Sequence, residues 1–213
     1  MVTDPSCRTY DVGVSTVTAA PDRSSATLPD RLAPALPSRG WRGWLGPLSV
    51  GAIAAVTRLS RLGEPNAVVF DETYYAKDAW SYLRFGVEID EVDDHKELMM
   101  QAGDNWRVVE AFSGEPGFVV HPPVGKWVIA TGEYLFGVDP FGWRIAIAIL
   151  GIAAVVMTAR IVRRLTRSDA LGTIAGLLLA LDGIHIVLSR TALLDLVLGF
   201  WVLTGFGLLL VDR

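Results

Sequence analysis

Apolar positions along this 213-residue chain fall into blocks divided by one long polar interval. The first block runs from Trp41 to Thr57, with Arg39 and Arg42 at its start and Trp41 and Trp44 as interfacial anchors. It is short against the ~20 residues a span needs, but Arg58 and Arg61 can extend it by snorkelling. Residues 41–62 are therefore expected to form a transmembrane helix. Three stronger spans are expected at Phe141–Ile161, Ala170–Ser189 and Thr191–Val211. Trp127 to Val138 is apolar too, but it is broken by Glu133 and is too short and too charged to cross. Inside the polar interval, Tyr75, Ala79, Tyr82 and Leu83 recur at i, i+4, i+7 and i+8, the spacing of an amphipathic helix. Gly86 suits its C-terminal stop and Asp71 its N-cap.

Composition changes the picture in two ways. Apolar residues make up 51% of the chain and charged residues 20%, with a mean hydropathy of +0.38. That balance is more apolar than a soluble domain usually carries and marks a membrane protein. A net charge of −4 and the lack of a basic domain exclude a nucleic-acid binder, so no nucleic acid is expected as a partner. The single cysteine, Cys7, excludes an internal disulfide and a multi-cysteine zinc site. Residues 1–38 are rich in Ser, Thr, Pro, Ala and Asp and cannot bury enough surface to offset their ordering entropy. Residues 1–40 are read as a disordered cytoplasmic tail without the apolar core of a signal peptide.

Charge placement sets the orientation. Arg160, Arg163, Arg164 and Arg167 form the densest basic cluster, which the positive-inside rule places in the cytoplasm. Residues 63–120 hold 13 of the 23 acidic residues against four basic ones. With the tail inside, residues 63–140 become an extracytoplasmic loop, and the segment 121–138 lies on the outer surface as an interfacial helix. Residues 141–213 then make three transmembrane helices. The run Asp90-Glu91-Val92-Asp93-Asp94-His95 lacks the alternating ligands and Gly turn of a calcium loop and suits a solvated acidic face. No metal ligand set is identified.

This topology gathers Asp71, Glu72, His121, Lys126, Arg144, Arg190 and Asp195 on the outer face. Ionisable groups at a membrane boundary are costly to place there. Paired acids beside an apolar surface can supply a general base, and Lys126, Arg144 and Arg190 can hold a lipid phosphate. Plainer roles stand beside these. Arg190 and Asp195 suit an ion pair with each other, Lys126 a snorkelling cation, and His121 a rigid turn before two prolines. Asp182 and His185, one turn apart in an apolar span, suit a mutual hydrogen bond, and Gly172 with Gly176 suits helix packing.

Three stretches, in this order, carry a family resemblance: Phe70-Asp71-Glu72, His121-Pro122-Pro123-Val124-Gly125-Lys126, and Ser189-Arg190-Thr191-Ala192-Leu193-Leu194-Asp195. Together they resemble the protein O-mannosyltransferases, bacterial branch, over residues 58–213. The resemblance implies an all-α, multi-span membrane protein of the C-type glycosyltransferase fold, with interfacial helices in the first outer loop. It implies a plasma-membrane enzyme with an extracytoplasmic active face. Its donor would be polyprenyl-phosphate-mannose and its acceptors Ser/Thr hydroxyls of exported proteins, met at the translocon, with inversion at the anomeric carbon. Asp71 would be the base and Glu72 its support. Arg144 would bind the lipid phosphate, and Arg190 and Asp195 would be structural or close to that phosphate. No cofactor is implied, and a metal requirement stays open. About four spans, where the family carries about eleven, imply an amino-terminal part. The competing readings are a C-type transferase acting on a lipid or glycan acceptor, an inactive membrane fragment, and a small membrane scaffold or channel-like protein.

Overall fold

The computed structural model describes residues 40–102 and 110–212. The expected tail, residues 1–40, falls outside them but for Gly40, and so does Cys7. A short 3-10 turn, Trp41–Trp44, leads into α1, Leu45–Leu59. Helix α2, Glu72–Phe85, and helix α3, His95–Ala102, occupy the polar interval. There follow α4, Pro123–Phe136, and the 27-residue α5, Pro140–Thr166. Then come α6, Asp169–Leu181, α7, Gly183–Arg190, and α8, Leu194–Asp212. The all-α expectation needs one amendment. Strands β1, Ile89–Glu91, and β2, Phe112–Pro116, pair as an antiparallel ribbon, with Ile89 opposite Pro116 and Glu91 opposite Phe112.

Helix boundaries follow local chemistry. Asp139 caps α5 by accepting from the Gly142 N–H at 2.7 Å, and Pro140 fills the first turn, where its missing donor costs nothing. Helix α2 stops at Gly86, whose φ of 76° is the left-handed conformation that a residue without a Cβ adopts freely. Helix α5 packs against α1, α4, α6, α7 and α8, so it is the spine of the described part. Between α5 and α6 the approach is close. A Cβ added at Gly176 would meet Ala159 at 2.8 Å and Val50 at 2.9 Å, which bears out the packing role of the small residues on α6.

Among the described residues two helices are long and apolar enough to cross a bilayer, namely α5 and, over Leu194–Val211, α8. Helix α1 has 15 residues, or about 22 Å at 1.5 Å per residue, against a hydrocarbon core of about 30 Å. The span expected at Ala170–Ser189 is not one continuous helix. It breaks at Asp182, with a 61° bend between α6 and α7. The cause is a second N-cap. Asp182 adopts extended dihedrals, and its carboxylate accepts from the His185 N–H at 2.7 Å. The bond expected between the Asp182 and His185 side chains is thus one to the His185 backbone. The carbonyls freed at the end of α6 go to Arg58, which donates to Ala180 at 3.1 Å and Leu179 at 3.3 Å. Arg58 is fully buried and also meets His185 Nδ1 at 2.8 Å, so it does not snorkel outward as the sequence reading supposed. At membrane depth such an exchange of partners is what lets a helix break, because no water is there to receive the carbonyls.

A candidate active site at the start of α2

The acid pair sits where α2 begins, and its two members have opposite surroundings. Glu72 is fully buried. Its carboxylate takes Arg144 Nε on Oε1 and the other guanidinium arm on Oε2, each at 2.7 Å. It also accepts from the Val69 N–H at 2.9 Å and the Ala192 N–H at 3.1 Å. This is a two-pronged, charge-assisted pair with every strong acceptor direction used. Arg144 spends its remaining donors on the carbonyls of Leu62, Pro65 and Ala67, at 3.3, 3.1 and 2.9 Å. All five of its N–H groups are thereby engaged, and none is left for a phosphate in this arrangement.

Asp71 is half-buried, occupies the N-cap position, and yet makes no side-chain cap bond. Its carboxylate has no hydrogen-bond or ion-pair partner among the described residues. Just before it, Phe70 holds φ at 54°, a left-handed conformation rare for a bulky side chain, and is 75% exposed. The strained residue turns the chain so that Glu72 goes inward to Arg144 while its neighbour stays on the rim.

Beside that rim lies a cleft of about 330 Å³ lined by Tyr75, His121, Asp195 and Trp201, among others. The Tyr75 hydroxyl and His121 Nε2 are 3.1 Å apart, with the rings edge to face. The Tyr75 phenol is pushed up from its ordinary value, first by burial and then by the charges of Asp71, Asp195 and Asp78, so it stays protonated. The charges of Asp71 and Asp195 therefore both act on the phenol, and of the two Asp195 lines the cleft. Asp195 is exposed and makes no ion pair among the described residues, so the pairing with Arg190 weighed from the sequence does not form.

The three motifs converge here. Glu72 meets the Ala192 N–H, Tyr75 meets His121, and Gly125 lies so close to Leu194 that an added Cβ would come within 2.7 Å of it. The other two cations expected at a phosphate are elsewhere. Lys126 is buried and bridges Asp78 at 2.8 Å and Glu88 at 2.6 Å, joining α4 to α2 and to the approach to β1. Arg190 donates to the carbonyls of Thr57, Arg58, Ser60 and Arg61, closing the C-terminal end of α1. Lys77 extends the ionic chain by pairing with Asp78 and Glu91. Burial draws its ammonium down, but those two carboxylates outweigh the burial and leave it raised. Tyr82, bonded to Glu88 at 3.0 Å, is pushed up to about 12 by burial first and that carboxylate second.

Sequence reasoning missed Arg58, Tyr75 and Glu133. Glu133 is fully buried in α4, with neither oxygen bonded, and burial pushes its carboxyl well above the usual range. The only signal for it was a carboxylate in an apolar run, which had been read as a reason against a span. Among the described residues no group of three or more His, Cys, Asp or Glu side chains could hold a metal ion, and the acidic residues Asp90, Asp93 and Asp94 are exposed.

Comparison with known proteins bears on this arrangement. The chain is 44% identical over 155 residues to the polyprenol-phosphate-mannose–protein mannosyltransferase of Mycobacterium tuberculosis, covering 71% of this chain and 25% of that protein. It is 41% identical to the protein of the same name from Mycolicibacterium smegmatis, over 71% of this chain and 26% of the relative. To that of Corynebacterium glutamicum it is 33% identical, over 68% and 25%. The chain thus spans about a quarter of the length of these curated relatives. No solved structure matches it. The sequence model described as dolichyl-phosphate-mannose-protein mannosyltransferase matches residues 48–211, which include all three motifs, and the chain belongs to that family.

Proposed function

We propose that the protein carrying this chain transfers mannose from a polyprenyl-phosphate-mannose donor to Ser/Thr hydroxyls of exported proteins. The reaction takes place on the extracytoplasmic face of the plasma membrane, in a C-type glycosyltransferase architecture, with acceptors presented as they leave the translocon. The observation that carries this reading is the contrast within one dipeptide, a Glu72 fully consumed by the framework and an Asp71 with no side-chain partner among the described residues, one turn before the Tyr75 that lines the cleft. The relatives' names supply the donor and the kind of acceptor.

In this mechanism Asp71 accepts the proton of the acceptor hydroxyl as that oxygen attacks C1 of the mannose. The bond from C1 to the phosphate oxygen breaks, and polyprenyl phosphate leaves with the electron pair. One displacement inverts the anomeric centre. Tyr75 and His121 orient the acceptor hydroxyl toward Asp71, and Asp195 closes the cleft on the α8 side. Glu72, Arg144, Lys126 and Arg190 act through the framework, holding α2, α4 and α1 in register.

The test is Asp71→Asn in a full-length family member carrying these residues. Because Asp71 forms no cap bond and no ion pair, the substitution removes a base and little stability. Mannosylation of a Ser/Thr peptide should fall about 10²–10⁴-fold at unchanged expression, as expected for loss of a general base. Transfer at the wild-type rate would remove Asp71 from the chemistry. A variant that keeps transfer to a lipid or glycan acceptor while losing the peptide would favour the other acceptor class.

A further inference from the structure

At the end of α5 away from Arg144, α5 and α8 part around a second cleft of about 610 Å³. The two helices touch at Gly207, where an added Cβ would meet Ile161 Cδ1 at 3.2 Å. Beyond that contact the walls are aliphatic, formed by Met157, Ile161, Leu208 and Val211, and Leu208 and Val211 are largely exposed. The rim is cationic. Arg160 holds its guanidinium carbon 4.0 Å from the centre of the Trp44 ring and spends one N–H on the Gly43 carbonyl at 3.3 Å. Arg163 is buried and pairs with Asp169. Arg164 is exposed and has no partner among the described residues. Among the described residues, three arginines therefore face one paired carboxylate, at the mouth of an apolar groove that opens along two helices long and apolar enough to span a bilayer.

We propose that this cleft binds an anionic phospholipid. Its phosphate would sit between Arg164 and the free edge of Arg160, and an acyl chain would lie along Met157, Ile161 and Leu208. A guanidinium offers a phosphate two parallel donors, and the contact with Trp44 restrains Arg160 so that less freedom is lost on binding. A soluble anion would gain the charge but not the aliphatic walls, and a zwitterionic lipid the walls but not the net charge. The groove suits a molecule with both, as basic pockets between membrane helices do. This proposal is independent of the transferase reading, because no group at the outer site takes part in it.

The test is native mass spectrometry of the 213-residue chain in detergent with equimolar phosphatidylglycerol and phosphatidylcholine. Retained phosphatidylglycerol should exceed phosphatidylcholine roughly tenfold or more, the scale of one charge-assisted contact. Arg164→Gln, which breaks no bond of the fold, should bring the ratio several-fold toward parity, and Arg160→Gln/Arg164→Gln should abolish the preference. Arg84→Gln, an exposed cation on α2, should leave it unchanged. Equal retention of the two lipids, an unchanged ratio in Arg164→Gln, or an equal loss in Arg84→Gln would each overturn the proposal. Displacement of the lipid by equimolar glycerol phosphate would also overturn it, since that would make the site a bare anion site.

Discussion

Among the described residues Glu72 receives four donors while the carboxylate one residue earlier receives none, so the same change of charge has opposite consequences at the two positions. With Asp71 as base and Glu72 as its support, Glu72→Gln is expected to be the milder change for transfer. For stability the burial of Arg144 makes it the more costly one, because a neutral amide leaves a sealed guanidinium without its counter-charge. Breaking a buried pair from one side costs roughly 3–5 kcal/mol, so Glu72→Gln should lower expression and the detergent-solution melting temperature, whereas Asp71→Asn should not. A Glu72→Gln protein that melts with the wild type would mean that the pair is dispensable. Glu133 is a different case, a buried acid without a partner. Its folded-state pKa lies above its unfolded value near 4.3, so between the two the native state holds a proton that the unfolded chain has lost. Its favourable contribution is complete at low pH and is lost as pH rises through the folded value. Glu133→Gln should therefore raise the melting temperature at pH 8 and leave it nearly unchanged at pH 4. Equal effects at both pH values would show that Glu133 is ionised in the native state.

At the scale of elements, the bend between α6 and α7 depends on two side chains with separate jobs. Asp182 starts α7, and Arg58 ends α6 from 122 residues away along the chain. Asp182→Ala removes a cap and should cost about 1 kcal/mol. Arg58→Leu leaves two carbonyls and His185 without their donor and should cost more, which thermal denaturation in detergent would rank; the reverse order would place the bend's stability in the cap. This division explains what the sequence made legible. Gly86 and the apolar length of α5 are local signals, and the stop of α2 and the existence of α5 were readable from them. The break was not, because an apolar run reads as one span unless the partner of its loose carbonyls is known. The site was legible to the same degree. His121 and Asp195 line one cleft, but Lys126, Arg144 and Arg190 were offered to a phosphate because a sequence displays a cation and not the acceptor it will meet. Lys126 finds Asp78 and Glu88, and Arg190 finds four carbonyls at the end of α1, through folding that no local pattern encodes.

For the whole molecule, the expected orientation puts the arginines of α5 inside and the interval 63–140 outside. Cysteines introduced at Asp94 and Arg167 after replacement of Cys7, probed with an impermeant thiol reagent in intact cells, should be labelled at 94 and not at 167. The opposite pattern would invert the arrangement and move the acid pair to the cytoplasm. The Glu72 contacts also impose a timetable on biosynthesis. Arg144 is made 72 residues after Glu72, and Ala192 is made 120 residues after it. At about 5–20 residues per second the carboxylate waits roughly 4–14 s for its guanidinium and about 6–24 s for its second backbone donor. Through that interval the start of α2 stays hydrated and free to move. The site around Glu72 closes only once α5 and the turn before α8 have both been made.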